Sequence, residues 1–402
     1  MVRFIHAADM HLDRSFEGLS FLAPETIATL AKANQQVLTN LVDLALDEQV
    51  DFILLAGDTF HQNKPSLKIQ SIFFAEMNRL AQAEIPVYLI FGNHDYYDPT
   101  RYWFEFPPNM TLFKSETVAT IHQKTKAGEA YAISGFSYCQ PWIEQEKVSE
   151  FPLKTPGVYQ IGLYHGEMGS HHYAPFTLAS LKEKGYDYWA LGHIHVPTTL
   201  SSEPPIRYSG TTQGHTKKET QTGVVLVDTN QSQVESCIIE AVKWQKVSIS
   251  LVATSTQSEA LNKVLAELKQ VASQNLALIS LAFYEGAHLG RDFLMSIKNT
   301  ELINYLNQQL KQSGLLLEVY EICLLQEETS PPLHLPVSDQ TVQELLAQLA
   351  KAEQFQQLSG ELLEHAIAHQ VIDSQLFKEQ VLTQTQAKLS EEFTWGGLHE
   401  TT

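Results

Sequence analysis

At 402 residues, with 44% hydrophobic and 10% aromatic residues, the chain exceeds one compact core and reads as a folded, water-soluble protein of two or three domains. Its 27 basic and 46 acidic side chains leave a net charge of −19, which argues against strong unaided binding to duplex DNA. Cys139, Cys237 and Cys323 are far apart and unpatterned, no run approaches the ~20 apolar residues of a membrane span, and Met1–His6 shows no secretory pattern. Disulfides, a thiolate metal site and a membrane anchor are therefore not expected, and the cytoplasm is the simplest address.

In chain order, residues 2–8 form a short apolar run that ends in Asp9-Met10-His11. Pro24 opens a helical pattern that continues to about residue 48, since proline is tolerated in a first helical turn. Asp51–Ala56 reads as a buried strand ending in Gly57-Asp58. Pro65-Ser66 marks a helix start, because Ile69, Ile72, Phe73, Met77 and Leu80 then recur at helical spacing. A third apolar run, 85–91, leads into Gly92-Asn93-His94-Asp95. This β-α-β-α-β alternation predicts parallel strands joined by crossover helices.

Further strands are expected near 117–121, 129–138 and 158–164, the last running into His165. A helix near 177–184 stops at Gly185, and the apolar run 186–191 ends in Gly192-His193-Ile194-His195. Strands near 206–209, 222–229 and 234–242 complete this part. The character changes around 243–246. Strand-like 247–253, helical 258–273, strand-like 277–284, helical 299–313 and strand-like 315–324 predict a small α+β domain. The domain boundaries read as 1–242, 243–326, a linker 327–337 carrying Pro331-Pro332, and a helical extension 338–402. That extension repeats apolar residues at helical spacing (Val342, Leu345, Leu346, Leu349, then Leu362, Leu363, Ala366, Ile367). It holds ten acidic and three basic side chains, a local charge of −7.

Five strand ends thus carry residues able to hold a metal: Asp9 and His11, Asp58, Asn93 and His94, His165, and His193 and His195. Two divalent cations a few Å apart need carboxylate and imidazole ligands with one bridging group, and such pairs recur in phosphoester hydrolysis. Asp58 offers the bridging carboxylate, and Asn93 a neutral amide oxygen that limits the charge. The four imidazoles suit manganese, iron or zinc better than calcium. His94 is free for proton transfer, with Asp95 placed to orient its ring. Taken singly, an Asp or Asn after a strand is more often a turn residue, and a lone His is more often just hydrogen-bonded. Five such ends in one half of the chain are very improbable by chance, so the joint reading wins.

The remaining histidines are weaker. His6 lies within the first strand as a core or turn-side residue. His122, His171, His172, His288, His365 and His369 have no motif around them. His215 falls in a loop of small and polar residues, and an ordinary loop is favoured. The basic pairs Lys182/Lys184 and Lys217/Lys218 read as solvated surface.

These blocks, in this order, resemble the calcineurin-like metallophosphoesterase superfamily. Within it the stretch Ala56–Ser66 is similar to the SbcD-type DNA repair exonuclease branch, and the length and acidic tail resemble bacterial YhaO-type members. The resemblance covers roughly residues 1–240 and fits the following small domain, the branch's capping domain, more loosely. It implies an α/β fold: a four-layer sandwich of two packed sheets flanked by helices, with the α+β cap and the helical extension. It implies one metal held by Asp9, His11, Asp58 and His195 and a second held by Asp58, Asn93, His165 and His193, most often Mn2+. It further implies phosphodiester hydrolysis in which His94 stabilises or protonates the leaving oxygen and His61 helps position the substrate phosphate.

Partners follow from the same resemblance: a DNA substrate, an SMC-like coiled-coil ATPase gripped by helices after the capping domain, and a homodimer. A self-packed helical bundle is the competing reading of residues 338–402. The acidic charge departs from the expectation for a DNA-binding protein and leaves much of the DNA contact to a partner or a dimer. Two other functions stay open: a phosphomonoesterase or small-molecule or cyclic nucleotide phosphodiesterase on the same scaffold, and a structural partner of an ATPase with a vestigial site. Phe60–Ser66 and the extra domains favour the nuclease over the first, and the complete ligand set argues against the second.

Overall fold

A computed structural model describes residues 2–271 and 273–325, and beyond them 333–335, 339–349, 351, 377–378, 380–385 and 393–395. They fall into two units, residues 1–324 and 325–402. The first begins with β1 (Arg3–Ala7), α1 (Pro24–Asp47), β2 (Phe52–Ala56), α2 (Leu67–Gln82), β3 (Val87–Ile90) and β4 (Met110–Leu112). β1, β2 and β3 pair in parallel, as the alternation of runs predicts, and β4, which the sequence reading does not include, adds to β3 in the same sense. Pro24 occupies the first turn of α1, and the Ser66 hydroxyl caps α2 by accepting from the Ile69 N–H at 3.3 Å.

The chain continues through β5 (Ala119–Lys124), β6 (Ala130–Gly135), β7 (Tyr159–His165), α3 (Leu178–Glu183), β8 (Tyr188–Gly192), β9 (Thr198–Ser202), β10 (Pro205–Tyr208), β11 (Val224–Asp228) and β12 (Gln233–Cys237). Two six-stranded sheets result, in the orders β12-β11-β1-β2-β3-β4 and β5-β6-β7-β8-β10-β9. Their facing sides share one core, where Phe4, Phe52, Leu54 and Ile90 meet Tyr131, Ile133, Ile161 and Leu163. Phe52 stacks on Phe4 at 5.1 Å and on Tyr131 at 4.5 Å between ring centroids. Burying one such side chain contributes about 1.5–3 kcal/mol. On its other side the first sheet packs against α1 and α2 through Val37, Leu41, Phe73, Met77 and Leu80. The second sheet's outer face carries Phe136, Phe151, Leu181 and Trp189. The architecture is a mixed α/β sandwich of two large sheets flanked by helices.

The change of character near 243–246 falls inside a strand, β13 (Val242–Ser250). Val242 and Trp244 are buried against Leu19, Leu22, Leu30 and Ala33, so the chain crosses this point without a linker. After α4 (Gln257–Gln270) and β14 (Leu276–Tyr284) comes α5 (Arg291–Lys298), which the helical pattern does not announce. Thr300, in the left-handed region at φ 63°, separates it from α6 (Glu301–Gln312). β15 (Leu317–Leu325) completes the three-stranded sheet β13-β14-β15. Leu268, Ile279, Phe283, Leu306 and Leu310 form its core.

In the second unit, β16 (Leu333–Leu335) pairs in parallel with β17 (Phe393–Trp395), and α7 (Asp339–Leu349) holds the first of the expected tail helices. The 327–332 segment and the Leu362–Ile367 pattern lie outside the described residues. Among the described residues no helix is long and apolar enough to cross a membrane.

His6 is fully buried in β1, with Nδ1 3.1 Å from the Tyr188 hydroxyl and Nε2 3.1 Å from the Leu191 carbonyl oxygen. A neutral ring satisfies both partners, accepting at Nδ1 and donating at Nε2. Burial first, with Arg207 nearby adding to it, pushes His6 down from 6.5 to about 3. Between those values the unfolded chain binds more protons than the native one. Its contribution to stability is therefore complete above pH 6.5 and is lost as the pH falls toward 3, with a slope of up to about 1.4 kcal/mol per pH unit. Urea midpoints of the metal-free protein are expected to drop across this window. His6→Gln, which can still accept and donate, is expected to flatten the profile by up to one proton, and an unchanged slope would contradict the assignment.

Candidate metal centre

The expected ligands gather at one rim, because parallel strands deliver their carboxyl ends to the same edge. The turn after β1 is tied to the turn after β2 by three backbone bonds: Asp9 N–H to Gly57 (3.1 Å), His11 N–H to Asp58 (3.0 Å) and Leu12 N–H to Thr59 (3.0 Å). Asp9, His11, Asp58 and His193 all take positive φ, at 49°, 43°, 52° and 104°. Non-glycine residues there cost on the order of 1–3 kcal/mol each and persist where the surroundings hold them, which is common at functional sites. The close approach also dictates two glycines. A Cβ on Gly92 would collide with the Asp58 carboxylate, and one on Gly57, at φ 91°, with the His165 ring.

His11 Nε2 lies 3.1 Å from His195 Nε2. Asn93 Oδ1 lies 3.0 Å from His165 Nε2 and 3.1 Å from His193 Nδ1. Between the two sets stands Asp58, whose Oδ2 is 3.8 Å from His11 Nε2 and 3.5 Å from His165 Nε2. Asp9 groups with His11 and His195 on one side and with Asp58 and His165 on the other, the ligand atoms of each group lying within 4.8 Å of one another. Both oxygens of Asp9 accept the His193 N–H at 3.0 Å. All seven residues converge.

Burial, reinforced by Asp58 next door, holds Asp9 well above the usual carboxylate range, and burial raises Asp58 as well. Burial drives His165 and His193 down to about 3 and His11 well below its ordinary value. Buried acids that resist ionisation beside imidazoles that resist protonation form a cluster short of positive charge, and divalent cations supply it while using neutral imidazoles. The rings are oriented from behind as ligands require. His165 Nδ1 lies 2.9 Å from the Ala56 carbonyl oxygen and His195 Nδ1 2.6 Å from Glu219, so each Nε2 faces inward. The residues present therefore fit two metal ions.

His94 and His61 join this centre. His94 Nδ1 is 3.1 Å from the His61 carbonyl oxygen, and its backbone N–H donates to Asp58 at 3.0 Å. The His61 and His94 rings stack at 4.7 Å, with both edge-on to His11. Burial, then the charge of His94, lowers His61, whose buried Nδ1 finds no partner among the described residues.

Asp95 corrects one expectation, because it does not orient His94. Its carboxylate accepts the N–H groups of Gly92 (2.8 Å), Thr59 (2.8 Å) and Phe60 (3.3 Å), stapling the turn after β3 to the turn after β2. Burial and the adjacent Asp58 push it up to about 8 against those three donors. The ring of His94 takes its orientation from a main-chain carbonyl instead.

Two further acids act here without any motif around them. Asp13 accepts from the N–H groups of His61 and Gln62, and Glu219 holds His195. The spacing Asp9-x-His11-x-Asp13 is the only sequence signal either leaves. His215 is fully buried, with Nε2 2.8 Å from Asn34 Oδ1, so its loop is an ordered part of the structure. From His11 the chain runs on through Leu12, Asp13 and Arg14 into the wall of a cleft of about 620 Å³, whose lining includes Leu30, Ile69, Lys32 and Lys68.

A carboxylate thus stands between two groups of imidazoles on the rim of a double-sheet sandwich, an arrangement of His and Asp groups able to bind metal. Residues 2–197, just under half of the chain, match the calcineurin-like phosphoesterase family, whose members use a dinuclear metal site. The chain is 37% identical over 259 residues to a protein named uncharacterized metallophosphoesterase YhaO from Bacillus subtilis, covering 62% of this chain and 63% of that one. It is 28% identical over 203 residues to the DNA double-strand break repair protein Mre11 of Sulfurisphaera tokodaii, 48% of this chain and 49% of the relative. Against the SbcD component of the B. subtilis nuclease SbcCD it is 24% identical over 296 residues, 62% and 70% respectively. The match thus spans about half to two thirds of the first two relatives.

Proposed function

We propose that this protein is a two-metal-ion DNA nuclease, the hydrolytic partner of an SMC-like coiled-coil ATPase in a DNA repair complex. The observation that carries the hydrolytic part is Asp58, whose single oxygen Oδ2 lies 3.8 Å from His11 Nε2 and 3.5 Å from His165 Nε2. In this reading Asp9, His11, Asp58 and His195 hold one cation and Asp58, Asn93, His165 and His193 the other. When bound, the pair supplies charge neutralisation at the phosphate and activation of a water. Manganese is the proposed ion, in keeping with the oxygen and imidazole donors.

The chain's own groups do the rest. The His61 carbonyl takes Nδ1–H of His94, which turns Nε2 to the substrate; in the doubly protonated ring Nε2 carries the proton given to the departing oxygen, and the ring is left neutral with Nδ1–H still on the carbonyl. His61, stacked on His94, contacts the substrate phosphate. Asp95 keeps the two loops that carry these groups in register. The cleft beyond Arg14 supports a nucleic-acid substrate: Leu30 and Ile69 offer apolar floor to a sugar or base, and Lys32 and Lys68 offer charge to phosphates. The names borne by the SbcD and Mre11 relatives support DNA over a small ester.

In the same proposal residues 1–242 are the nuclease domain, 243–326 its cap, 327–337 a linker and 338–402 the docking extension for the ATPase, with the protein working as a cytoplasmic homodimer. The test is incubation of the purified chain with Mn2+ and end-labelled duplex and single-stranded DNA, with and without the ATPase. Metal-dependent shortening of the label is the expected result. No cleavage in any combination would sink the nuclease reading, and hydrolysis of p-nitrophenyl phosphate or cyclic nucleotides without DNA cleavage would replace it with a small-substrate phosphoesterase.

A further inference from the structure

Glu219 belongs to none of the ligand-bearing turns, yet its carboxylate gathers four donors. Oε1 lies 2.6 Å from His195 Nδ1 and 3.1 Å from Arg14 Nη1. Oε2 accepts the N–H groups of His215 (2.7 Å) and Thr216 (3.1 Å). The residue is 8% exposed. A carboxylate that faces a guanidinium and two peptide N–H groups offers only acceptors, so the fourth neighbour, His195 Nδ1, must bring a proton. A neutral imidazole has one proton, which leaves the Nε2 lone pair of His195 pointed at His11 Nε2, 3.1 Å away.

We propose that Glu219, braced by Arg14, is the positioning residue that fixes the tautomer and tilt of His195 and thereby sets the affinity of one of the two metal sites. The assignment rests on the reading of His195 as a ligand. His11, the other imidazole on that side, has no such support: its Nδ1 is buried without a hydrogen-bond partner among the described residues. Orientation on this side therefore comes through Glu219. On the other side the Ala56 carbonyl already orients His165.

The brace is itself anchored. His215, whose N–H holds Oε2, sets its ring on Asn34 of α1, and Asn34 Nδ2 donates to the carbonyl oxygens of Leu12 (3.0 Å) and Arg14 (2.9 Å). A closed circuit thus runs from Glu219 through His215, Asn34 and Arg14 back to Glu219, and His195 is held on it. Arg14 also walls the adjacent cleft.

The test is calorimetric titration of the metal-free full chain with Mn2+, together with 15N NMR of the histidine rings before metal is added. Wild type is expected to take up two ions and to show His195, assigned by its loss in His195→Gln, as the Nδ1–H tautomer. Glu219→Ala is expected to weaken one binding step by roughly 10- to 100-fold and leave the other unchanged, with the His195 ring signals moving toward a tautomer mixture. Glu219→Gln, which keeps the shape, covers the case in which the alanine variant does not fold, and the same step should weaken. Wild-type affinity at both steps in Glu219→Gln would overturn the proposal. So would equal weakening of both, which is what a merely structural role produces. Failure of wild type to bind any Mn2+ would instead remove the centre, and this inference with it.

Discussion

Replacing Asp58 by asparagine is expected to lower metal-dependent hydrolysis of a phosphodiester by at least about a thousandfold, on the order of 4 kcal/mol, and to reduce metal uptake. Asp58 approaches an imidazole of each group through Oδ2, while its Oδ1 accepts the His94 N–H at 3.0 Å. An amide in its place keeps an acceptor for that N–H, so the loop stays put. What it lacks is the negative charge that two cations would share. The loss should therefore appear in metal stoichiometry, measured by titration of the metal-free protein, with little change in the urea midpoint. An asparagine variant that binds two ions with wild-type affinity and turns over normally would refute the bridging role.

The second large effect should separate from the first. His94→Ala is expected to slow turnover by about 10²- to 10⁴-fold, the range for loss of a positioned general acid, with both metal-binding steps preserved. His94 is anchored through its backbone to Asp58 and through Nδ1 to the His61 carbonyl, so truncation removes the ring without moving a ligand. The deficit should also depend on the leaving group. With DNA, whose departing alkoxide needs a proton, the full loss is expected. With a p-nitrophenyl diester, whose leaving phenolate does not, most of it should disappear. Equal deficits on both substrates would assign His94 to phosphate binding rather than proton delivery.

Much of the fold was legible because each signal was local. The runs 51–56 and 85–91 are apolar almost throughout, as strands buried on both faces must be, and Pro24 and Ser66 mark helix starts. The short strands β4 and β9 left little trace: three residues in the one, mostly half-buried positions in the other. The break between α5 and α6 was also hidden, because Thr300 takes a left-handed conformation that its side chain does not advertise.

For the centre, the sequence by itself determined which donor types exist and that they follow strand ends: Asp9, His11, Asp58, Asn93, His165, His193 and His195 each sit within a few residues of the end of an apolar run. Parallel pairing then required them to meet on one edge. Only the tertiary structure decided which atoms face one another and what stands behind them. Asp95 became a backbone staple, a carbonyl took over the orientation of His94, and Glu219, 24 residues beyond His195 in a loop without a motif, came to hold that imidazole. The physical reason is range. Ligand identity and strand periodicity are written within a few residues, whereas a hydrogen bond between two turns depends on how whole strands pack, and no local pattern records it.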